Sequence, residues 1–171
     1  MSPRNERRQI KPIVDGVKNL GHSPRLRGKV AERPRVLLAV NFHGGEAGFI
    51  DMSQPQAGAW VDVLDSVRES NNPVYVELDP ETRVITNLLL PRRFKVEAIT
   101  RAASEKGEQV ELVISHARHF LRADNSGHDA LLTLLEGARR RGSEVLVTEN
   151  PDHEIIDVRP VQGGPARRGA K

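Results

Sequence analysis

The sequence contains no cysteine, and only 4% of its 171 residues are aromatic. The first absence excludes disulfide bonds, cysteine-ligated zinc and thiol catalysis. The second disfavours a platform on which nucleic-acid bases stack. No apolar run approaches the about 18 residues that cross a bilayer, and the first 28 residues lack the apolar segment of a secretory signal. We therefore expect a cytoplasmic protein that does not bind membranes.

A pattern that recurs 71 positions later organises the rest of the chain. Residues 60–87 and 131–158 each predict an amphipathic helix, a strand, a proline turn and a second strand, and six of the 28 aligned pairs are identical. The apolar helix positions follow i, i+3, i+4, i+7 spacing in both segments. They are Trp60, Val63, Leu64 and Val67 in the first segment, and Leu131, Leu134, Leu135 and Ala138 in the second. The pattern predicts an internal duplication.

Local signals predict where the two helices begin and end. Ser53 and Gln56 have the spacing of a capping box before the first helix, and Asn71 follows its last turn. Ser126 is the predicted cap of the second helix, and Gly142 lies just past its end. A further short helix face is predicted over residues 10–17, and a short strand over residues 26–30.

Alternating or continuous apolar runs predict the remaining strands. The predicted strands are 35–42, 74–78, 83–90, 94–99, 109–114, 144–148 and 154–158. The segment 43–48, with Gly44 and Gly45, lacks the lysine of a phosphate-binding loop and predicts a hairpin loop.

These elements predict an α+β fold: an internally duplicated antiparallel β barrel or sandwich with one amphipathic helix in each half. The layout resembles an OB-like or SH3-like barrel by topological analogy. We expect a basic, largely extended N-terminal arm over residues 1–34, a globular body over 35–160 and a basic disordered tail over 161–171. The body divides into related halves, about 35–91 and 92–160.

Charge is distributed unevenly along the chain. Residues 1–30 hold eight Lys/Arg and two Asp/Glu, residues 31–160 hold 15 and 21, and residues 161–171 hold three and none. An acidic body with two basic arms is typical of proteins that bind an acidic protein or nucleic acid. The predicted contacts are Arg4, Arg7, Arg8, Lys11, Arg25, Arg27, Lys29, Arg139, Arg140, Arg141, Arg167 and Arg168.

Two clusters that contain histidine have residue types found in reactive sites. His116 and His119 lie near Asp124, but residues three apart on a strand point to opposite faces, so a metal site requires a helical turn there. His153 lies between Asp152 and Glu154, where the chemistry of the hairpin turn accounts for all three residues. We predict no catalytic, cofactor-binding or metal-binding residue.

Three classes of function follow, in order of preference. The first is a non-catalytic interaction or assembly module that binds a protein partner or itself as a homo-oligomer. The alternative is a nucleic-acid-associated protein whose basic tails contact phosphates without sequence specificity. The third is a metal-dependent enzyme with a site near His116 and His119.

Overall fold

The computed structural model describes residues 12–22, 36–104, 107–114 and 117–161. The chain divides between Leu90 and Pro91 into two compact units, called unit 1 and unit 2 below. Each unit contains five antiparallel strands and one helix among its described residues. The fold is therefore α+β, as predicted. No described helix has the length and apolar character needed to cross a membrane.

The elements follow the same order in both units. Unit 1 contains β1 (Ile13–His22), β2 (Leu37–Phe42), β3 (Ala47–Asp51), α1 (Ala57–Ser70), β4 (Pro73–Leu78) and β5 (Ile85–Leu89). Unit 2 contains β6 (Arg92–Ser104), β7 (Gly107–Ile114), β8 (Ala117–Leu121), α2 (His128–Arg141), β9 (Glu144–Glu149) and β10 (Ile155–Pro160).

The strands also lie in the same spatial order. The sheet of unit 1 runs β3-β2-β1-β4-β5, and that of unit 2 runs β8-β7-β6-β9-β10. In each sheet the first strand is central: it pairs with the fourth strand at its beginning and with the second strand further along. This agreement fits the predicted repeat. A common topology does not by itself demonstrate duplication, which stays a prediction.

Neither sheet closes into the predicted barrel. Within the described residues each unit has a single parallel bridge between one edge strand and the residue just before the other, Phe49 to Val84 in unit 1 and Phe120 to Glu154 in unit 2. A closed barrel requires a continuous ladder between these edges. Each sheet is therefore open, with its edges in contact at one point.

The helices cover the sheets with the predicted apolar faces. Leu64 and Val67 of α1 are buried in the core of unit 1, and Trp60 packs against that core while partly exposed. Leu135 and Ala138 of α2 are fully buried in unit 2. Burial of a leucine side chain stabilises a fold by about 1.5–3 kcal/mol, so these faces attach each helix to its sheet.

The predicted helix N-caps are wrong. α1 begins after Gln56, and no side chain caps it; the hydroxyl of Ser53 donates to the carboxylate of Asp51 instead, at 2.6 Å. α2 begins after Gly127 rather than Ser126, again without a side-chain cap. A turn before α1 thus takes up the hydroxyl that the sequence pattern assigned to the cap, and before α2 the N–H of Gly127 donates to Oδ1 of Asn125 at 2.8 Å.

The predicted helix C-termini are confirmed. Asn71 has φ 53° and Gly142 has φ 63°, and both main-chain N–H groups donate to carbonyls of the preceding turn. This left-handed conformation ends a helix and is easiest for glycine and asparagine.

The N-terminal segment differs from its prediction. Ile13–His22 form β1, the central strand of unit 1, so the helix predicted over residues 10–17 is wrong for its described part. Ile13 and Val17, four residues apart, lie on one face of a strand as readily as on one face of a helix, and both are buried. Pairing with β2 and β4 decides between the two. The strand predicted at 26–30 lies outside the described residues.

Two short edge strands were missing from the sequence prediction. β3 and β8 contain glycine or charged residues and show little of the apolar alternation that identifies a strand. The hairpin loop predicted at 43–48 is confirmed for residues 43–46, which connect β2 to β3 and include Gly45 at φ 89°, whereas Ala47 and Gly48 belong to β3.

Candidate functional site

Most of the predicted contact residues fall outside the described part of the chain. These are Arg4, Arg7, Arg8, Lys11, Arg25, Arg27, Lys29, Arg167 and Arg168, and His116 of the predicted histidine pair lies there as well. Arg139, Arg140 and Arg141 are described: they are exposed and form the last turn of α2. Positive side chains in this position interact favourably with the negative end of the helix dipole.

The acidic character of the predicted body is concentrated in unit 1. Its described residues hold three Lys/Arg and nine Asp/Glu, a net charge of −6. The described residues of unit 2 hold ten Lys/Arg and 11 Asp/Glu, a net charge of −1. The two units thus differ in charge although they share a topology.

Several cations of unit 2 have no anionic partner among the described residues. They occupy the start of β6 and the last turn of α2, and all are exposed: Arg92, Arg93, Lys95, Arg139, Arg140 and Arg141. By contrast, Arg122 donates hydrogen bonds to Asp124 and Glu154. The unpaired cations leave positive charge available to a partner.

A second feature of unit 2 is a group of three side chains with metal-binding atoms. His119, Glu149 and His153 each offer one nitrogen or oxygen, and these three atoms lie within 4.8 Å of one another. Nδ1 of His119 is in close contact with Oε2 of Glu149, and Nδ1 of His153 lies 3.7 Å from the same oxygen. We call these three residues the His-Glu-His cluster.

The fold brings the cluster together from three segments. His119 lies in β8, Glu149 is the last residue of β9, and His153 lies in the turn before β10. The main-chain N–H of Phe120 donates to the carbonyl of His153 at 3.0 Å, which holds the edge strand β8 beside this turn. The cluster therefore lies where the two edges of the open sheet meet.

Two members of the cluster, His119 and Glu149, have buried polar atoms that lack a hydrogen bond within the described structure. His119 is 3% exposed, and neither of its ring nitrogens has a hydrogen-bond partner within the described structure. Oε2 of Glu149 is also buried without a hydrogen-bond partner among the described residues, although it is in close contact with Nδ1 of His119. Buried polar atoms are nearly always satisfied in native proteins, so these orphaned atoms require an explanation.

Ring contacts orient His119 further. Its ring centroid lies 5.8 Å from that of Phe94, and 5.6 Å from that of His153, with the two imidazoles nearly perpendicular. His153 itself is 65% exposed, so one side of the cluster opens to solvent.

A neighbouring ion pair strengthens the same edge of unit 2. Nη1 of Arg122 donates to Glu154 at 2.9 Å, and Nδ2 of Asn150 donates to the other oxygen of that carboxylate, also at 2.9 Å. These hydrogen bonds lower the pKa of Glu154 below its ordinary value, and the bond from Arg122 has the largest effect.

The structure therefore corrects how the histidines were grouped. The sequence prediction considered His119 with His116, and His153 with its chain neighbours, whereas the fold joins His119 to His153 and adds Glu149. The inward orientation of His119, on the same face of β8 as the buried Leu121, could have signalled an unusual buried histidine had β8 been predicted. Comparison with family models, curated proteins and solved structures finds no match for this chain.

Proposed function

We propose that this chain is a non-catalytic assembly module that binds itself, or a protein partner, through complementary charge. The observation that carries the proposal is the segregation of charge: the described part of unit 1 has a net charge of −6, while the described part of unit 2 exposes six cations that have no anionic partner there. The basic arms predicted at both ends of the chain add to the positive side. Complementary surfaces of this kind steer association and set its specificity.

Self-association would place the cations of one chain against the acidic surface of another. Unit 1 offers Asp62 and Glu69 on the exposed side of α1, where neither carboxylate has an ion pair within the described residues. The last turn of α2 offers residues 139–141. A head-to-tail contact of this kind makes rings or filaments rather than an isologous dimer, so the expected product is a salt-sensitive homo-oligomer.

The test is the molar mass of the full-length protein by size-exclusion chromatography with light scattering, at about 50 and 300 mM salt. We expect an oligomer at low salt that dissociates at high salt. D62R/E69R and R139Q/R140Q/R141Q should each weaken association. D65N/R68Q, which removes the intrahelical ion pair of α1 without changing net charge, is the control. A wild-type monomer at low salt refutes self-assembly and leaves a protein partner to be sought.

The exposed cations also favour a second candidate, a nucleic-acid-associated protein that contacts phosphates without reading sequence. Arg92, Arg93 and Lys95 lie on one strand, and the predicted tails extend the positive charge. Fluorescence anisotropy with labelled DNA and RNA tests this candidate on the full chain and on residues 12–161. The shorter chain keeps β1 and every other described element. The shorter chain lacks Arg4, Arg7, Arg8, Lys11, Arg167 and Arg168. Salt-sensitive binding that is weaker in the shorter chain supports the candidate, and no binding of the full chain at low salt rejects it.

We also propose that the two units arose by duplication of an OB-like unit. Three features of each unit support this origin. The first strand is central and pairs with both the second and the fourth strand, a helix precedes the fourth strand, and the two edges of the sheet approach each other in parallel. If each unit is such an autonomous fold, residues 12–90 and 91–161 should unfold cooperatively when produced separately. Absence of cooperative unfolding from either fragment would contradict the proposal.

A further inference from the structure

We infer that the His-Glu-His cluster of unit 2 is a binding site for a divalent transition-metal ion, with Zn²⁺ the best fit, and that the ion fastens the two edges of the open sheet. The inference is independent of the assembly proposed above and assigns no reaction to the ion. It depends on the orphaned polar atoms, the ligand types and a comparison with the equivalent position of unit 1.

The ligand set fits zinc better than calcium or magnesium. Two imidazole nitrogens and one carboxylate oxygen suit Zn²⁺, Co²⁺, Ni²⁺ and Cu²⁺, whereas Ca²⁺ and Mg²⁺ prefer oxygen ligands alone. In a tetrahedral zinc site with bonds of ~2.0–2.1 Å, ligand atoms lie about 3.3 Å apart. The three atoms of the cluster, all within 4.8 Å of one another, reach this spacing with small side-chain adjustments.

Metal binding would satisfy polar atoms that otherwise remain buried without hydrogen bonds. An ion between the three side chains coordinates Nδ1 of His119 and Oε2 of Glu149, the two orphaned atoms that face each other. His153 supplies the third ligand from the solvent side, and its exposure provides a path for the ion to enter. A fourth position is left for water.

The residues of unit 1 that are equivalent to the His-Glu-His cluster can be identified from the matching backbone contacts. The N–H of Phe49 donates to the carbonyl of Arg83 at 3.0 Å, as Phe120 does to His153, so Arg83 occupies the place of His153. Gly48, which precedes Phe49, then corresponds to His119. Leu78, the last residue of β4, corresponds to Glu149 because these two pair with Ile85 and Ile155 respectively.

This correspondence differs from the predicted gapless repeat. The offset is 71 residues up to the turn and 70 after it, because the hairpin turn of unit 2 is one residue shorter. The aligned sequences had placed Thr82 opposite His153, which concealed the equivalence with Arg83.

The space that His119 fills in unit 2 is apolar in unit 1. A Cβ added at Gly48 would lie 2.8 Å from Cδ2 of Leu78, so that leucine occupies the room of the histidine ring. Leu78 belongs to the buried core of unit 1. The fold therefore does not need polar groups at this position, and the buried histidine and the part-buried glutamate of unit 2 call for a role other than packing.

The residues at this position of the hairpin turn, Arg83 in unit 1 and His153 in unit 2, both link the turn to the edge strand through their side chains. Arg83 has φ 58° and His153 has φ 60°, a conformation that a glycine would adopt with less strain. In unit 1 the Arg83 guanidinium donates to the carbonyl of Ala47 at 2.6 and 2.9 Å, and to Glu46 at 2.9 Å, and so fastens the turn to the edge strand β3. In unit 2 the imidazole of His153 is too short to do this, and a shared metal ion links the turn to β8 instead.

The test is a zinc titration of the full-length protein, stripped with a chelator, in competition with a chromophoric zinc indicator. We expect one ion per chain. Loss of a residue that only orients a metal ligand weakens metal affinity by about 10–100-fold. H153A and E149L each remove a proposed ligand, so each should weaken the affinity for zinc by that much or more. E149L introduces the residue that unit 1 has at this position and should fold, and H43A, which removes an exposed turn histidine of unit 1, should bind as the wild type does.

Two further readouts make the result decisive. Cobalt substitution should give the intense visible absorption of a four-coordinate site, and zinc should slow hydrogen exchange of the Phe120 amide in the wild type but not in E149L. Absence of stoichiometric binding, or equal affinity in wild type, H153A and E149L, overturns the site. Binding without protection of the Phe120 amide overturns the proposed fastening of the sheet edges.

Discussion

The main-chain N–H of Phe120 donates a hydrogen bond to the carbonyl of His153 at 3.0 Å. This contact joins the edge strand β8 of unit 2 to the turn that precedes the other edge strand, β10. Phe49 and Arg83 make the same contact in unit 1, at the same distance. The two units therefore approach closure in the same way, while the side chains around the contact differ.

In unit 1, the Arg83 side chain should contribute measurably to stability. R83A removes the hydrogen bonds to Ala47 and Glu46, and we expect a loss of about 1–3 kcal/mol, because a net hydrogen bond contributes about 1 kcal/mol and a partly exposed ion pair 0–1. Urea denaturation measures the change. E46Q, which leaves the contact with the Ala47 carbonyl intact, should lose less than 1 kcal/mol by the same reasoning. Equal losses in both variants would show that the main-chain contact contributes little.

The buried helix leucines should be among the most sensitive positions of each unit. Leu64 of α1 and Leu135 of α2 are fully buried, so L64A and L135A should each destabilise by about 2–5 kcal/mol. Thermal or urea unfolding followed by circular dichroism measures this. T133A, at an exposed position of α2, is the control and should change stability by less than about 1 kcal/mol. A small effect of L135A would contradict the packing of α2 on its sheet.

Replacing a glycine by alanine should have opposite effects on stability at two helix ends. Gly142 has φ 63°, so G142A forces a left-handed alanine and should destabilise by about 1 kcal/mol. Gly58 lies in the first turn of α1 with open space around it, and G58A should stabilise by up to about 1 kcal/mol. Matched urea titrations compare the two. A stabilising G142A would mean that α2 does not end at this residue.

Acid should weaken unit 2 through Glu154. Its pKa is lowered in the folded protein, chiefly by the hydrogen bond from Arg122, so the folded state binds the proton less tightly than the unfolded chain. The stabilisation is therefore fully present above the ordinary carboxyl pKa of 4.5, and it is lost as the pH falls through the lower folded value. E154Q should flatten the pH dependence of unfolding below pH 4.5. An unchanged profile in E154Q would assign the acid sensitivity to other carboxylates.

Hydrophobic periodicity was sufficient for the helices and for every strand except β1, β3 and β8. Leu64 and Leu135 lie on apolar faces with helical spacing, and both were predicted to be buried because an amphipathic helix must cover its apolar stripe. The helix C-termini were also predictable, since Asn71 and Gly142 tolerate the left-handed conformation there. The N-caps were not, because Ser53 donates to Asp51 in a turn that local spacing does not reveal.

The sequence by itself determined the α+β composition, the helix faces and the segregation of charge along the chain, because these depend on residue type and on spacing within one element. Only the tertiary structure decided that Ile13–His22 are a central strand, that the sheets stay open, and that His119, Glu149 and His153 meet. Glu149 and His153 are 30 or more residues from His119 in the chain. Their contact depends on the pairing of strands and the length of one turn, which no local pattern encodes.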